Sequence, residues 1–266
     1  MRDRLAWLMP ALLLGAAIFG PGLVPHDPLA TNVPMALLPP SSRHWFGTDQ
    51  LGRDVFSRVV VATRIDLLIA VSAVALSLGL GATIGAAIGY RGGGTDRAVS
   101  RGVDVLMAFP LFALAMVLVA ALGNSVSAII LATAVVNLPF YIRLTRAEVR
   151  VRRHLGYVEA ARIGGSGTAR ILRVFLLPNI LPVLAVQASV NLGWAILNAA
   201  GLSFLGLGVQ APTPEWGIMV AEGAQFLGSG HWWLAAFPAL ALVFAVFCFT
   251  LLGDRLRDRL DPRSGA

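Results

Sequence analysis

The sequence has 266 residues, of which 57% are hydrophobic and only 13% are charged, and its mean hydropathy is +0.75. This composition excludes an ordinary soluble domain, and the long apolar runs are typical of helices that use lipid as their solvent. The net charge of +7 comes from arginine, since lysine is absent, and the arginines lie in short loops rather than on one nucleic-acid-binding face.

We predict an all-α integral membrane protein with six transmembrane helices. A spanning helix needs about 20 largely apolar residues, and five stretches of the sequence reach this length. The stretch at 105–142 is long enough for two crossings, and Gly123-Asn124-Ser125 divides it because such small residues favour turns. The predicted spans derive from residues 5–24, 65–90, 105–142, 174–214 and 232–252.

The first span also resembles a cleaved signal peptide, because a basic start precedes its apolar centre. No small-x-small cleavage site follows it, so we predict a retained anchor at 1–24; its removal would leave five spans. An extracytoplasmic segment at 25–63 would follow. A core of five helices at 64–253, with a cytoplasmic loop at about 146–178, would precede a cytoplasmic tail at 254–266.

Arginine placement predicts the orientation of these spans. With the N-terminus inside, 17 arginines lie in inner segments and four in outer segments. Cytoplasmic loops carry an excess of basic residues, so both termini are predicted to be cytoplasmic. In the outer segment, Asp49, Arg53 and Asp54 offer both signs of charge; they could pair with one another or meet a docking protein.

Small residues and a proline inside the spans predict how the helices pack. Gly81, Gly85 and Gly89 recur at the spacing that lets two helix backbones approach closely, within this chain or against a partner subunit. Pro110 is expected to kink the third span.

Three amides fall on one face of the fifth span, namely Gln187, Asn191 and Asn198. Amides in a lipid span need water or hydrogen-bonding partners. They could therefore line a translocation path, or they could hold neighbouring helices together with bonds of about 0.6 kcal/mol each.

The basic loop at 143–173 is the clearest candidate for a contact with a soluble protein. Residues 157–163 can form a short helix along the membrane surface, which Gly164 and Gly165 would end. Pro178 suits the first turn of the returning helix. Such a rigid knob could pass a partner's displacement to the spans. An ordinary basic cytoplasmic loop is the alternative.

Motifs for catalysis or metal binding are missing from the sequence. A Walker A loop needs a lysine after its glycines, and there is none. The histidines His26, His44, His154 and His231 are scattered, and the single Cys248 lies in an apolar run. We therefore predict no catalytic residue and no metal site.

Several sequence blocks, found in order along most of the chain, resemble the second permease subunit of dipeptide, oligopeptide and nickel ABC importers. The most specific are Gly-Thr-Asp-x-x-Gly-Arg-Asp at 47–54 and Gly-Leu-Ser-Phe-Leu-Gly-Leu-Gly at 201–208. The remaining blocks lie at 103–110, 157–162, 177–179, 212–217, 252–258 and 260–263.

The resemblance implies a type I permease core in the bacterial cytoplasmic (inner) membrane, forming half of a pathway for short peptides, nickel or another small solute. Besides membrane lipid, the implied partners are a second permease, two cytoplasmic ATPases and an extracytoplasmic solute-binding protein, with no nucleic acid. ATP and Mg²⁺ would be bound by the ATPases, and no cofactor by this chain.

The resemblance also assigns the loop helix as a coupling helix that docks on an ATPase. The usual bulky apolar residue before the motif glycine is replaced here by Gly164, which predicts a looser turn. The coupling residues carried over are Tyr157, Glu159, Ala160, Ala161, Arg162 and Gly165.

Two other functions are compatible with a basic loop between apolar spans. A secondary transporter or channel without an ATPase would be expected to carry an ionisable residue deep in a span. The nearest candidates, Asp66 and Asp104, lie at the ends of predicted spans. A membrane anchor or assembly factor could also bind a soluble protein through this loop without transporting anything.

Overall fold

The computed structural model describes residues 2–260, and within this range the chain forms helices and no extended strand. The end of the predicted tail, residues 261–266, lies outside the described residues. The α-helices in the described range are α1 (Arg2–Leu23), α2 (Val55–Arg91), α3 (Gly93–Ala108), α4 (Leu111–Leu122), α5 (Val126–Arg152), α6 (Gly156–Ile163), α7 (Thr168–Arg170), α8 (Leu177–Phe204), α9 (Trp216–Ala224) and α10 (Trp233–Leu260).

Within residues 2–260, five helices are long and apolar enough to cross a membrane: α1, α2, α5, the rod Thr168–Phe204 and α10. The third predicted span is instead broken, because α3 and α4 meet at 92°. Proline pushes its preceding residue out of the helical region, and Phe109 before Pro110 is extended at φ −82° and ψ 145°. The expected kink is therefore a right-angled break. The number of possible membrane spans reaches six only when the broken pair of α3 and α4 is included.

The rod Thr168–Phe204, which corresponds to the fifth predicted span, begins earlier than the sequence suggested. α7 continues through a π-helical turn at Ile171–Leu176 directly into α8, so Pro178 lies inside a continuous rod rather than at its start. Proline cannot donate the usual helical hydrogen bond and crowds the preceding turn. The wider π turn relieves this crowding, since the Leu177 N–H donates to the carbonyl of Leu172, five residues back.

The glycine stripe of α2 packs against α5. A methyl group on Gly81 would lie 2.5 Å from Tyr141 Cβ, and one on Gly85 would lie 2.6 Å from the carbonyl oxygen of Ile142. These distances leave no room for a side chain. The close packing predicted from the glycine spacing is therefore confirmed, and it occurs within this chain.

α1 packs against α2 and α10 rather than standing apart. Leu13 and Ala17 are buried in the main apolar cluster, and a methyl group on Gly20 would lie 2.6 Å from Val60 Cγ1. These contacts fit α1 as part of the folded bundle. Its retention as an anchor stays a prediction.

A buried ionic network joins the predicted extracytoplasmic segment to α9. Arg53 Nε donates to Asp49 at 2.6 Å, and its Nη2 reaches Glu222 at 3.4 Å. Arg58 lies 3.6 Å from the same Asp49 carboxylate and 3.9 Å from Glu222. Asp49 and Arg53 therefore pair with each other, whereas Asp54 caps α2.

Asp66 lies eleven residues into α2, fully buried, and not at the end of a span as the sequence indicated. The helix starts at Val55 because Asp54 caps it, so it begins ten residues before the span predicted at 65–90. Asp66 accepts the Trp216 N–H at 3.2 Å, beside Glu215, which caps α9. Burial raises the pKa of the Glu215 carboxyl. The presence of these two buried carboxyls is explained by the contact that they make where α9 packs against α2.

Candidate functional site

The short helix predicted at 157–163 is present as α6, Gly156–Ile163. Val158 is its one fully buried side chain, and it belongs to the same apolar cluster as Val149 of α5 and Ile171 of the π turn. Ala161, which is half-buried, packs against this cluster. One side of α6 is thus anchored on the ends of two membrane helices.

Gly165 ends α6 in a left-handed conformation, with φ of 79°. Its N–H donates to the Arg162 carbonyl at 3.0 Å, and the Ser166 N–H donates to the Ala161 carbonyl at 2.9 Å. This is the Schellman pattern, in which glycine is preferred because it has no Cβ. Gly164 has an ordinary φ of −70°. The turn's hydrogen bonds are complete, and the looser turn stays a prediction.

Gly165→Ala should loosen the end of α6, whereas Gly164→Ala should not. Nothing lies within 4 Å of a methyl group at Gly165, so the cost is conformational, about 1–2 kcal/mol. Hydrogen exchange of the peptide at 156–166 should therefore accelerate about fivefold or more in Gly165→Ala. Equal exchange in the two variants would contradict this role.

Two arginines contact the end of α2: Arg153, which follows α5, and Arg162 of α6. Arg153 Nη1 donates to the carbonyls of Gly89 and Tyr90 at 3.1 and 3.0 Å, satisfying groups that a helix C-terminus leaves free. Arg162 reaches the Tyr90 hydroxyl at 3.4 Å, and its guanidinium lies 5.8 Å from the centre of that ring. A displacement of α6 would therefore reach α2 through Arg162, and through Arg153 in the segment that joins α5 to α6.

The opposite side of α6 carries Glu159, Ala160 and Ile163, which we call the docking face. All three are exposed, and Ile163 is 88% exposed. Within residues 2–260, no ion pair involves Glu159. The side chains of Ile163 and Glu159 are therefore both accessible to a partner protein.

The six coupling residues inferred from the sequence thus divide by position. Glu159 and Ala160 lie on the docking face, and Tyr157, 38% exposed, flanks it. Ala161 and Arg162 face the bundle, and Gly165 forms the cap. Sequence reasoning missed Ile163, Val158 and Arg153. The helical spacing of Glu159 and Ile163, four residues apart, could have indicated a shared face.

The three amides of α8 form hydrogen bonds within the chain. Asn198, which is buried, donates to Thr133 Oγ1 of α5 at 3.0 Å. Gln187 donates to the Asn191 side-chain oxygen at 2.9 Å. Asn198 therefore holds two neighbouring helices together, which is the second of the two roles that the sequence left open for these amides. A pathway role for these amides stays a prediction, and the half-buried Gln187 is its most accessible member.

Comparison with known proteins gives consistent matches over nearly the whole chain. Residues 79–265 match the family described as binding-protein-dependent transport system inner membrane component. The chain is 44% identical over 254 residues to the probable D,D-dipeptide transport system permease protein of Escherichia coli (strain K12), covering 96% of this chain and 85% of that protein. It is 41% identical to the nickel transport system permease protein of the same strain, with coverage of 97% and 93%. It is 40% identical to the glutathione transport system permease protein of Pectobacterium atrosepticum, with coverage of 97% and 86%.

Proposed function

The chain belongs to the family of binding-protein-dependent transport system inner membrane components, and we propose that it forms half of the translocation pathway of an ATP-driven importer. It is a multi-pass permease of the ABC-importer class, with the all-α fold of that class. The distribution of its arginines supports an orientation with both termini in the cytoplasm and α6 on the cytoplasmic side.

The proposed complex contains a second, similar permease, two cytoplasmic ATPases and an extracytoplasmic solute-binding protein. ATP and Mg²⁺ belong to the ATPases in this scheme, because this chain has no lysine with which to build a phosphate-binding loop. This chain contributes the membrane path and the contact through which ATP-driven motion enters it.

The observation that carries the proposal is the exposure of Ile163 on a helix whose other side is anchored. Burial of an exposed isoleucine is favourable by about 1.5–3 kcal/mol, and a groove on an ATPase would provide that burial. Closure of the ATPases would press on the docking face. The push would pass through Arg153 and Arg162 to α2, and through Val158 to the π turn that leads into α8.

The cargo is proposed to be a small solute delivered by the binding protein. Short peptides are the first choice, with nickel or another small solute open, because the three relatives above are named for D,D-dipeptide, nickel and glutathione transport. Uptake of labelled dipeptide, glutathione and ⁶³Ni²⁺ into cells with and without the intact chain would separate these choices.

Purification from native membranes through a non-histidine tag tests the complex. The native chain should co-elute with two ATPase chains and a second permease, whereas Glu159→Lys should lose the ATPases and keep the permease, because a cation replaces the free carboxylate of the docking face. Asp27→Lys makes the same charge change at an exposed site beyond α1 and should keep every partner. A folded homo-oligomer of the native chain without any ATPase would refute the proposal.

A further inference from the structure

Two of the histidines that are scattered in the sequence meet beside one carboxylate, at the end of α2 opposite α6. His44 Nδ1 lies 2.9 Å from Asp54 Oδ1, and His26 Nδ1 lies 3.8 Å from the same oxygen. The three possible ligand atoms all lie within 4.8 Å of one another. The two imidazole rings are tilted at 30°, with their centres 4.7 Å apart.

This cluster is enclosed and incompletely satisfied. His44 is 7% exposed and Asp54 is 3% exposed. His26 Nδ1 and His44 Nε2 are buried atoms with no hydrogen-bond partner among the described residues. Buried polar atoms usually have a partner. His26 Nδ1 lies 3.8 Å from the Asp54 carboxylate without one, so the arrangement points to a group that is additional to this chain's own side chains.

The surrounding backbone holds the cluster in place. Asp54 Oδ2 accepts hydrogen bonds from the Ser57 N–H at 2.8 Å and from its hydroxyl at 2.7 Å, which leaves Oδ1 turned toward the histidines. The backbone of His44 is held by Ser41 on one side, and its carbonyl accepts the Gly47 N–H. Outer hydrogen bonds of this kind orient the ligands of metal sites.

We propose that His26, His44 and Asp54 bind a divalent transition-metal ion such as Zn²⁺. Two imidazoles and a carboxylate are ligands that Zn²⁺ takes at about 2.0–2.2 Å, which sets ligand atoms roughly 3.3 Å apart on a tetrahedral ion. The observed separations of 2.9 and 3.8 Å bracket that value. Shifts of about half an ångström would bring these two separations to the tetrahedral value, the third lies within 4.8 Å, and water would take the fourth position.

The ion would fasten α1 to α2. His26 follows the end of α1 at Leu23, whereas Asp54 is the cap of α2. His26 is also the accessible member, with a side chain 36% exposed, so the ion has a route of entry. This function is additional to the proposed transport role, and it does not depend on the docking face or on the identity of the cargo.

Metal binding to the purified permease complex provides the test. The complex, carrying a non-histidine tag, would be stripped with chelator, dialysed against buffered free Zn²⁺, and its zinc measured by mass spectrometry. The native complex should hold one zinc ion more per copy of this chain than the His26→Ala complex does. Co²⁺ in place of Zn²⁺ should give the visible absorption of a four-coordinate site in the native complex alone.

Two further variants control for damage to the fold. His231→Ala removes a half-buried histidine outside the cluster and should keep the full zinc content. Asp54→Asn retains a good helix cap but removes the anionic ligand, and should lower zinc affinity at least tenfold. Equal zinc content in the native and His26→Ala complexes would overturn the proposal, as would a native complex that takes up no zinc. Neither result would bear on the co-elution of ATPases, which tests the transport function separately.

Discussion

Replacing Ile163 with aspartate is expected to lower cargo uptake tenfold or more while leaving the permease folded. Ile163 is 88% exposed, so this chain loses almost no packing when it is replaced. Its burial against an ATPase would be worth about 1.5–3 kcal/mol, which corresponds to roughly a 10- to 100-fold change in affinity. A buried, unpaired carboxylate adds a further penalty. Uptake into cells and ATPase co-elution would both be measured.

Thr168→Asp is the matched control for this experiment. It places the same new carboxylate at an exposed position of the same loop, in the first turn of α7, where an anion suits the helix N-terminus. Uptake should then stay near the native rate. If Ile163→Asp transported normally, α6 would not be the contact for the ATPase. If both variants failed equally, the effect would be one of loop charge and not of the docking face.

Gly85→Ala is expected to destabilise the bundle by forcing α2 and α5 apart at the glycine stripe of α2. The new carbon would lie 2.6 Å from the Ile142 carbonyl oxygen and 2.8 Å from Thr145 Cβ. Because the nearest atom belongs to the backbone, α2 and α5 must move apart. Overpacking of this kind costs about 1–3 kcal/mol and occasionally more. The thermal midpoint of the detergent-solubilised protein should fall by several degrees.

Gly79→Ala provides the comparison within the same helix. No atom lies within 4 Å of a methyl group at that position, and alanine is the better helix former by about 1 kcal/mol. Gly79→Ala should therefore match or exceed the native thermal midpoint. Similar midpoints for the two variants would mean that the α2–α5 contact is softer than the distances indicate.

Features encoded locally were predictable from the sequence. Long apolar runs predicted the membrane helices, and a run of helix-forming residues ended by glycines predicted α6 to within one residue. The glycine spacing of α2 predicted a close helix contact, although its partner helix was left open. In each case the relevant residues lie within a few turns of one another, so periodicity and turn chemistry are sufficient.

Features that depend on distant contacts were not predictable. Pro110 indicated a bend, but an angle of 92° depends on what α3 and α4 each pack against. Asp66 lies in a buried pair with a residue 149 positions away, which no local pattern reveals. The same limit applies to His26 and His44. They are close in space only because the segment between them folds back, and no local pattern in the sequence indicates this.

The uninterrupted length of α2 has a mechanical consequence. Its 37 residues contain no proline and make a rod of about 55 Å. Arg153 donates a hydrogen bond to the C-terminal end of α2, and the ionic network of Arg58 and Glu222 lies near its N-terminal end. A lever of this length converts a tilt of ~5° at the α6 end into a swing of ~5 Å at the far end. Such a swing exceeds the 3.9 Å separation of the Arg58–Glu222 pair, so this pair would persist through a tilt of α2 only if α9 moved with it.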